Sequence, residues 1–102
     1  MICVIATIEL AEGRREEFLA VMRRLVPTVL AETGCLEYKP MIDLPSGIPG
    51  QPPLRGDTVT MVEKWQDLAT LAAHLATPHM KQFFEDTELL RMGVSLQILQ
   101  PA

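Results

Sequence analysis

One stretch near the start of the chain, Ile2-Cys3-Val4-Ile5-Ala6-Thr7-Ile8-Glu9, says most about its architecture. Successive side chains of a strand point to opposite faces, and both alternating sets are largely apolar here. A strand that is apolar on both faces is typical of the centre of a sheet that is covered on both sides. We therefore expect this stretch to be a central strand.

A long helix is predicted after this strand, from Gly13 to about Thr33. Its apolar residues recur at helical spacing and form one stripe, made of Phe18, Met22, Leu25, Val26 and Val29. Gly34 is a natural stop at the carboxyl end. Pro27 lies inside the helix, where it removes one backbone hydrogen bond and clashes with the carbonyl of Arg23, so we expect a kink or a break there.

A second strand is predicted from Cys35 to Asp43. Leu36, Tyr38 and Ile42 share one of its faces. Pro40 cannot donate a hydrogen bond to a neighbouring strand, which indicates an edge or bulged strand.

A long surface loop, Leu44 to Gly56, follows and contains four prolines and three glycines. After it, Thr58 to Trp65 alternates as a third strand. We expect one face of that strand to carry Val59, Met61, Glu63 and Trp65.

Two helices and a last strand complete the pattern. Asp67 is a good N-cap for a helix that runs to about Ala76. Its predicted core stripe is Leu68, Leu71, Ala72 and Leu75. Thr77-Pro78 starts a short second helix, because a capping residue is followed by proline at the first helical position. The predicted inner face of that helix is Met80, Phe83, Phe84 and Thr87, and Gly93 to Leu99 is the fourth strand.

The resulting order, βαββαβ, predicts one α+β domain over residues 1–102, with a ferredoxin-like four-stranded antiparallel sheet. Helices can cover only one face of such a sheet. The first and last strands offer apolar or small residues on both faces. Because an uncovered apolar face is costly in water, we expect a second copy of the chain to shield it, forming a homodimer.

Composition excludes several classes of function. The formal net charge is -4 and no Lys/Arg cluster is visible, which argues against nucleic-acid binding. No stretch approaches the ~20 apolar residues of a membrane span. The start lacks the basic flank and cleavage site of a signal peptide, and Cys3 and Cys35 have no metal or redox spacing. We expect a cytoplasmic protein with two free thiols.

Four residues are candidates for chemistry. Trp65 ends the third strand and His74 comes nine residues later, so the helix can fold back and bring both side chains to one cavity. An imidazole there can act as a base or a hydrogen-bond donor, or as a structural histidine bonded to a carbonyl. Glu63 is either a pocket carboxylate or the partner of a loop or an arginine. Tyr38 either points its hydroxyl into the cavity or serves in packing.

We expect His79 to face solvent or the hinge between the two short helices. It lies five residues from His74, with Pro78 between them, so the i, i+4 spacing of a helical zinc site is absent. We therefore predict no metal ligands.

Three segments in order resemble the antibiotic biosynthesis monooxygenase family, and more closely its quinol monooxygenase branch. They are Gly34-Cys35-Leu36-Glu37-Tyr38, Glu63-Lys64-Trp65, and His74-Leu75-Ala76-Thr77-Pro78-His79-Met80, followed by Phe83. The resemblance implies a dimeric ferredoxin-like α+β barrel that oxidises dihydroxy-aromatic compounds with O2, without flavin, haem or metal. It implies that Trp65 and His74 are cavity residues, and Tyr38 and Glu63 match its motif.

Some positions depart from other branches of that family. The haem-degrading branch needs an asparagine in the first strand, a tryptophan at the position of His74, and a histidine ligand near Phe84. Because this chain has Thr7, His74 and Phe84, haem degradation is not expected. The Leu44–Gly56 loop is also longer than is typical of the family.

The function predicted from these features is a cofactor-independent monooxygenase that oxidises a small quinol or polyphenol with O2. His74 would take a proton from a substrate hydroxyl, and Trp65, Tyr38 and Glu63 would bind the substrate. Two alternatives remain open because this fold hosts many functions. One is an isomerase or decarboxylase of a small polar carbonyl compound, and the other is a dimeric ligand-binding module without catalysis.

Overall fold

The computed structural model describes all 102 residues and places three helices on one face of a four-stranded antiparallel sheet. The elements are β1 (Ile2–Leu10), α1 (Arg15–Leu30), β2 (Cys35–Met41), β3 (Thr58–Trp65), α2 (Leu68–Leu75), α3 (Pro78–Asp86) and β4 (Arg91–Leu99). A 3-10 turn, Glu88–Leu90, precedes β4. The predicted βαββαβ ferredoxin-like order is confirmed.

The two central strands are β1 and β3, since the sheet order is β2-β3-β1-β4. They pair from Ile2 opposite Trp65 to Glu9 opposite Thr58. The residues on their helix-facing side are buried except Ile2, which is partly buried; the buried ones are Val4, Ala6, Ile8, Leu10, Val59, Met61, Glu63 and Trp65. The central position of the first strand and the alternation of the third are as predicted.

Helix α1 is continuous through Pro27, so the expected break does not occur. Pro27 is exposed and lies in the last turns of the helix, on the side away from the sheet. The carbonyl of Arg23, which loses its backbone partner, can therefore bond to water. The buried stripe contains Leu19 in addition to the predicted Phe18, Met22, Leu25 and Val29, whereas Val26 is only partly buried.

Strand β2 lies at the edge of the sheet, as Pro40 predicts, but it is irregular at its start. The register with β3 shifts between Cys35 and Glu37, which indicates a bulge at Leu36. Leu36 is 59% exposed and does not share the buried position of Tyr38, contrary to expectation. The strand ends at Met41, so Ile42 lies beyond it and is exposed.

The loop between β2 and β3 is closed at its base by Asp43 and Arg55. The guanidinium of Arg55 donates to the carboxylate of Asp43 through Nε at 2.9 Å and Nη2 at 2.6 Å, and the backbone N–H of Arg55 donates at 2.9 Å. Nη1 of Arg15 also donates to the carbonyl of Arg55 at 3.1 Å, which ties the loop to the start of α1. The two ends of the loop are thereby fixed.

Helix α2 begins at the predicted N-cap, Asp67, which forms a reciprocal capping box with Thr70. Its buried residues are Leu71 and His74 alone. The predicted core stripe is wrong for Leu68, Ala72 and Leu75, which are exposed. A helix of eight residues contacts the core along one narrow line, which Leu71 and the imidazole of His74 occupy.

Helix α3 is capped by Thr77, whose hydroxyl accepts from the backbone N–H of Met80. Met80, Phe83 and Thr87 are buried as predicted, but Phe84 is exposed. None of the helices combines the length and apolar character needed to cross a bilayer.

Strand β4 exposes an apolar row, which consists of Val94, Leu96 and Ile98. These residues pair with Ile8, Ala6 and Val4, so they lie on the helix-facing side of the sheet. Each is nevertheless about half exposed, because no helix extends over this edge strand.

The outer face of the sheet is more polar than expected. Ile5 and Val62 are accompanied there by Thr7, Thr60 and Lys64, all of them partly buried. The main uncovered apolar surface is therefore the β4 row, at one edge of the helix-facing side.

Candidate functional site

A cavity of about 100 Å³ lies between the helix-facing side of the sheet and the helices. Eleven of its fourteen lining residues are hydrophobic, and the other three are Glu63, His74 and Arg91. Val94 and Leu96 of the β4 row lie in its wall, so the cavity opens toward the uncovered edge. An apolar space with a few convergent polar groups is typical of a small-molecule site.

His74 is held by contacts on three sides. Nδ1 lies 2.8 Å from Oε2 of Glu32, the ring centroid lies 4.6 Å from that of Trp65, and the Tyr38 ring meets it edge-on at 5.5 Å. The residue is 1% exposed, and its side chain makes one hydrogen bond, which joins Nδ1 to Glu32. Since His74 lines the cavity and Nδ1 is engaged by Glu32, Nε2 is the nitrogen available to a ligand.

The surroundings of His74 favour a neutral ring. Burial lowers the pKa of the imidazole below its ordinary value, and the hydrogen bond to the Glu32 carboxylate partly opposes that effect. A carboxylate can only accept, so the neutral ring carries its proton on Nδ1 and keeps a lone pair on Nε2. This is the arrangement that a general base requires.

Glu32 was not a candidate in the sequence, yet it connects the two histidines. It follows the end of α1, and its Oε2 lies 2.8 Å from Nδ1 of His74 and 2.9 Å from Nε2 of His79. The His79 side chain is 29% exposed, as expected in part, but its Nε2 is directed to Glu32 and not to solvent. Pro78 begins α3, so His79 lies in the first turn of that helix, and its contact with Glu32 places this turn beside the end of α1.

Glu63 lines the cavity, and its partner is the indole of Trp65 rather than an arginine or a loop. Nε1 of Trp65 donates to Oε1 of Glu63 at 3.0 Å. Burial raises the pKa of the Glu63 carboxyl above its ordinary value, the indole hydrogen bond lowers it, and the nearby charge of Glu32 raises it further. A buried carboxyl that has a single protein donor is able to bind a further donor from a ligand.

Trp65 supports the site from behind. Its side chain is fully buried, touches both Glu63 and His74, and is not part of the cavity wall. Trp65 therefore lies behind the cavity wall, in contact with two lining residues.

Tyr38 lines the cavity, and its phenol stays protonated. Burial raises its pKa far above the ordinary value, and the charges of Glu63 and Glu32 add to the rise. Since Tyr38 lines the cavity, its hydroxyl can donate to a ligand there. Burial also raises the pKa of the nearby Cys35 thiol to about 11, so this cysteine is a poor nucleophile.

The profile of the family described as "Antibiotic biosynthesis monooxygenase" matches residues 1–86. The chain is 40% identical to a protein named "Probable quinol monooxygenase YgiN" from Escherichia coli K12, over 99% of this chain and 98% of that one.

Solved structures show the same fold. The crystal structure of PA3566 from Pseudomonas aeruginosa superposes with a TM-score of 0.81 and 31% identity, covering 99% of this chain and 93% of that one. A conserved protein from Methanosarcina mazei Go1 also gives a TM-score of 0.81, at 24% identity and with coverage of 99% and 92%.

Proposed function

Because the chain belongs to the antibiotic biosynthesis monooxygenase family, we propose that it oxidises a small quinol or related dihydroxy-aromatic compound with O2, with no cofactor, and that His74 is the base. The observation that carries the proposal is the pairing of His74 with Glu32 beside an apolar cavity. The name of the relative from E. coli supports the substrate class.

The first step is removal of a hydroxyl proton by Nε2 of His74. The resulting imidazolium keeps its Nδ1–H bonded to Glu32, whose negative charge stabilises it. A phenolate ring is far richer in electrons than the phenol, so it reduces O2 directly. Overall, a quinol and O2 give a hydroxyquinone and water, and the quinol supplies all the electrons.

The other lining residues orient the ring and exclude water. The phenol of Tyr38 donates to a substrate oxygen, and Glu63 accepts from a second hydroxyl. The hydrophobic wall keeps the reactive oxygen species away from bulk water. Trp65 holds His74 and Glu63 in place, which preserves the geometry of proton transfer.

The proposal is tested with an oxygen electrode on metal-free protein and a series of menadiol-like and polyphenolic compounds. We expect enzyme-dependent O2 uptake with at least one quinol, and a hydroxyquinone product that carries one atom from ¹⁸O2. Turnover of a carbonyl compound without O2 would instead support an isomerase or decarboxylase. Absence of turnover with every quinol, together with tight binding of one, would support a ligand-binding module.

We further propose that residues 1–102 form one domain that works as a homodimer, in which the partner covers the β4 row. Burial of each of these aliphatic side chains stabilises association by about 1.5–3 kcal/mol at most. Since Val94 and Leu96 also lie in the cavity wall, the partner closes the open side of the cavity.

Replacing Leu96 with lysine should convert the dimer to a monomer at micromolar concentration, because a charge in the middle of the row is costly to bury. Solution mass by light scattering measures the result. Ala20→Lys, on the exposed side of α1, is the control and should remain dimeric. A wild-type protein that is monomeric would contradict the proposed dimer.

A further inference from the structure

Glu32, His74 and His79 form a compact group of metal-ligating side chains, called here the Glu32 cluster. They come from three separate places: the residues after α1, helix α2, and the first turn of α3. One atom from each, Oε2, Nδ1 and Nε2, lies within 4.8 Å of the other two. Both histidine nitrogens point at the same carboxylate oxygen, at 2.8 and 2.9 Å.

We propose that the Glu32 cluster binds a divalent transition-metal ion of the zinc type, and that the ion inactivates the base at His74. Two imidazole nitrogens and one carboxylate oxygen are ligands that Zn²⁺ and its neighbours prefer. Mg²⁺ and Ca²⁺ take oxygen ligands, of which the cluster supplies one. The donor set therefore selects for the zinc group of ions.

The spacing of the three atoms suits such an ion after a small adjustment. Zn²⁺ lies about 2.0–2.2 Å from nitrogen and oxygen ligands, so tetrahedral neighbours are about 3.3 Å apart and each present contact has to lengthen by about 0.5 Å. Rotation of the Glu32 carboxylate can lengthen both contacts, because Oε1 makes no hydrogen bond to another side chain. The two histidine nitrogens already lie within 4.8 Å of each other.

An ion can reach the cluster from the surface. The side chain of His79 is 29% exposed. It lies in the wall of a recess of about 290 Å³ that also contains Arg24, Asp86 and Gln82. Water in this recess can supply the fourth ligand that tetrahedral zinc needs.

The ion would sit behind the imidazole and outside the cavity. Glu32 and His79 do not line the cavity, and the ligand atom of His74 is Nδ1, the nitrogen that contacts Glu32. The substrate and O2 in the cavity therefore have no direct contact with the metal. This position separates the ion from the reaction itself.

The effect on His74 follows from the chemistry of the ring and rests on the proposed function. A neutral imidazole that binds a metal through Nδ1 carries its single proton on Nε2. Nε2 then becomes a donor and has no lone pair to accept a proton from the substrate. Metal binding moves the proton from one nitrogen to the other and thereby stops the reaction.

Binding is tested by isothermal titration calorimetry of the metal-free protein with Zn²⁺ alone, with Mg²⁺ as the comparison. We expect one Zn²⁺ per chain, with Kd of about 10 µM or tighter, and no Mg²⁺ binding. His79→Ala should weaken Zn²⁺ binding by at least ~10-fold, because one of three ligands is lost. Gln82→Ala, in the same recess, is the matched control and should bind like the wild type.

A second readout is thermal unfolding, since a ligand that binds only the folded state raises Tm. Zn²⁺ should raise the Tm of the wild type and of Gln82→Ala, but not that of His79→Ala. Absence of Zn²⁺ binding to the wild type, or binding to His79→Ala with unchanged Kd, would overturn the metal site.

The consequence for activity is measured separately. Zn²⁺ should abolish O2 uptake by the wild type, a chelator should restore it, and any turnover that His79→Ala retains should be resistant to Zn²⁺. If Zn²⁺ binds but no quinol is oxidised by the metal-free protein, the metal site stands and the proposed function fails. If quinol is oxidised at the same rate with Zn²⁺ bound, the inactivation of His74 is refuted.

Discussion

His74→Ala lowers kcat/KM for O2 uptake with an active quinol by a factor of ~100 or more, which is the expected loss for a general base. The variant keeps the apolar cavity but removes the only imidazole in its wall. Tyr38 cannot replace it, because burial holds its phenol protonated. In the proposed mechanism Glu63 accepts from the second hydroxyl, not from the one that His74 deprotonates.

The measurement is initial-rate O2 uptake, with circular dichroism and thermal unfolding to confirm that the variant folds. Gln66→Ala is a suitable control because Gln66 is exposed, precedes α2, and makes no side-chain hydrogen bond. Turnover of His74→Ala within a factor of a few of the wild type would remove the base from the mechanism. A reduced rate in Gln66→Ala would point to disturbance of α2 instead.

Trp65→Ala lowers the free energy of unfolding by about 3–5 kcal/mol, the range for truncating a large buried aromatic residue. Trp65 is fully buried, and its loss would leave a void beside His74. It would also leave Oε1 of Glu63 without its indole donor. A buried carboxylate without a donor adds to the cost.

Trp65→Phe separates these two contributions. Phenylalanine fills most of the space but cannot donate to Glu63, so we expect a smaller loss than for alanine, and part of it should be recovered at low pH, where Glu63 is protonated. Urea denaturation at two pH values measures both. A Trp65→Ala variant that is destabilised by less than about 1 kcal/mol would show that the indole is not a packing residue.

The main features of the fold could be predicted because its signals are local. Strict alternation identifies β3, where every second residue is buried, and Asp67 and Thr77 mark the starts of the last two helices. The sequence predictions are wrong where the packing of the whole chain, and not the local sequence, decides which residues are exposed. Pro27 is tolerated because it faces water, and the bulge at Leu36 changes which β2 residues are covered.

The candidate site was predictable only in part. The position of His74 on α2 after Trp65 indicates a shared location, and the two ring centroids do lie 4.6 Å apart, with the rings tilted by 37°. Glu32 lies 42 residues from His74, and no spacing rule links them. The i, i+4 spacing rule that argued against His79 as a metal ligand applies to two histidines on one helix. The two histidines here are joined through Glu32, which follows α1.

Because the base of the loop between β2 and β3 is fixed, the loop can change in length or sequence without disturbing the rest of the molecule. The clamp formed by Asp43 and Arg55 holds its ends whatever lies between them, and no residue of the segment reaches the cavity. Each doubling of such a segment costs only about 0.6 kcal/mol in closure entropy. The loop can therefore become longer or shorter in evolution, and an affinity tag can be inserted at its tip, while the cavity keeps its shape.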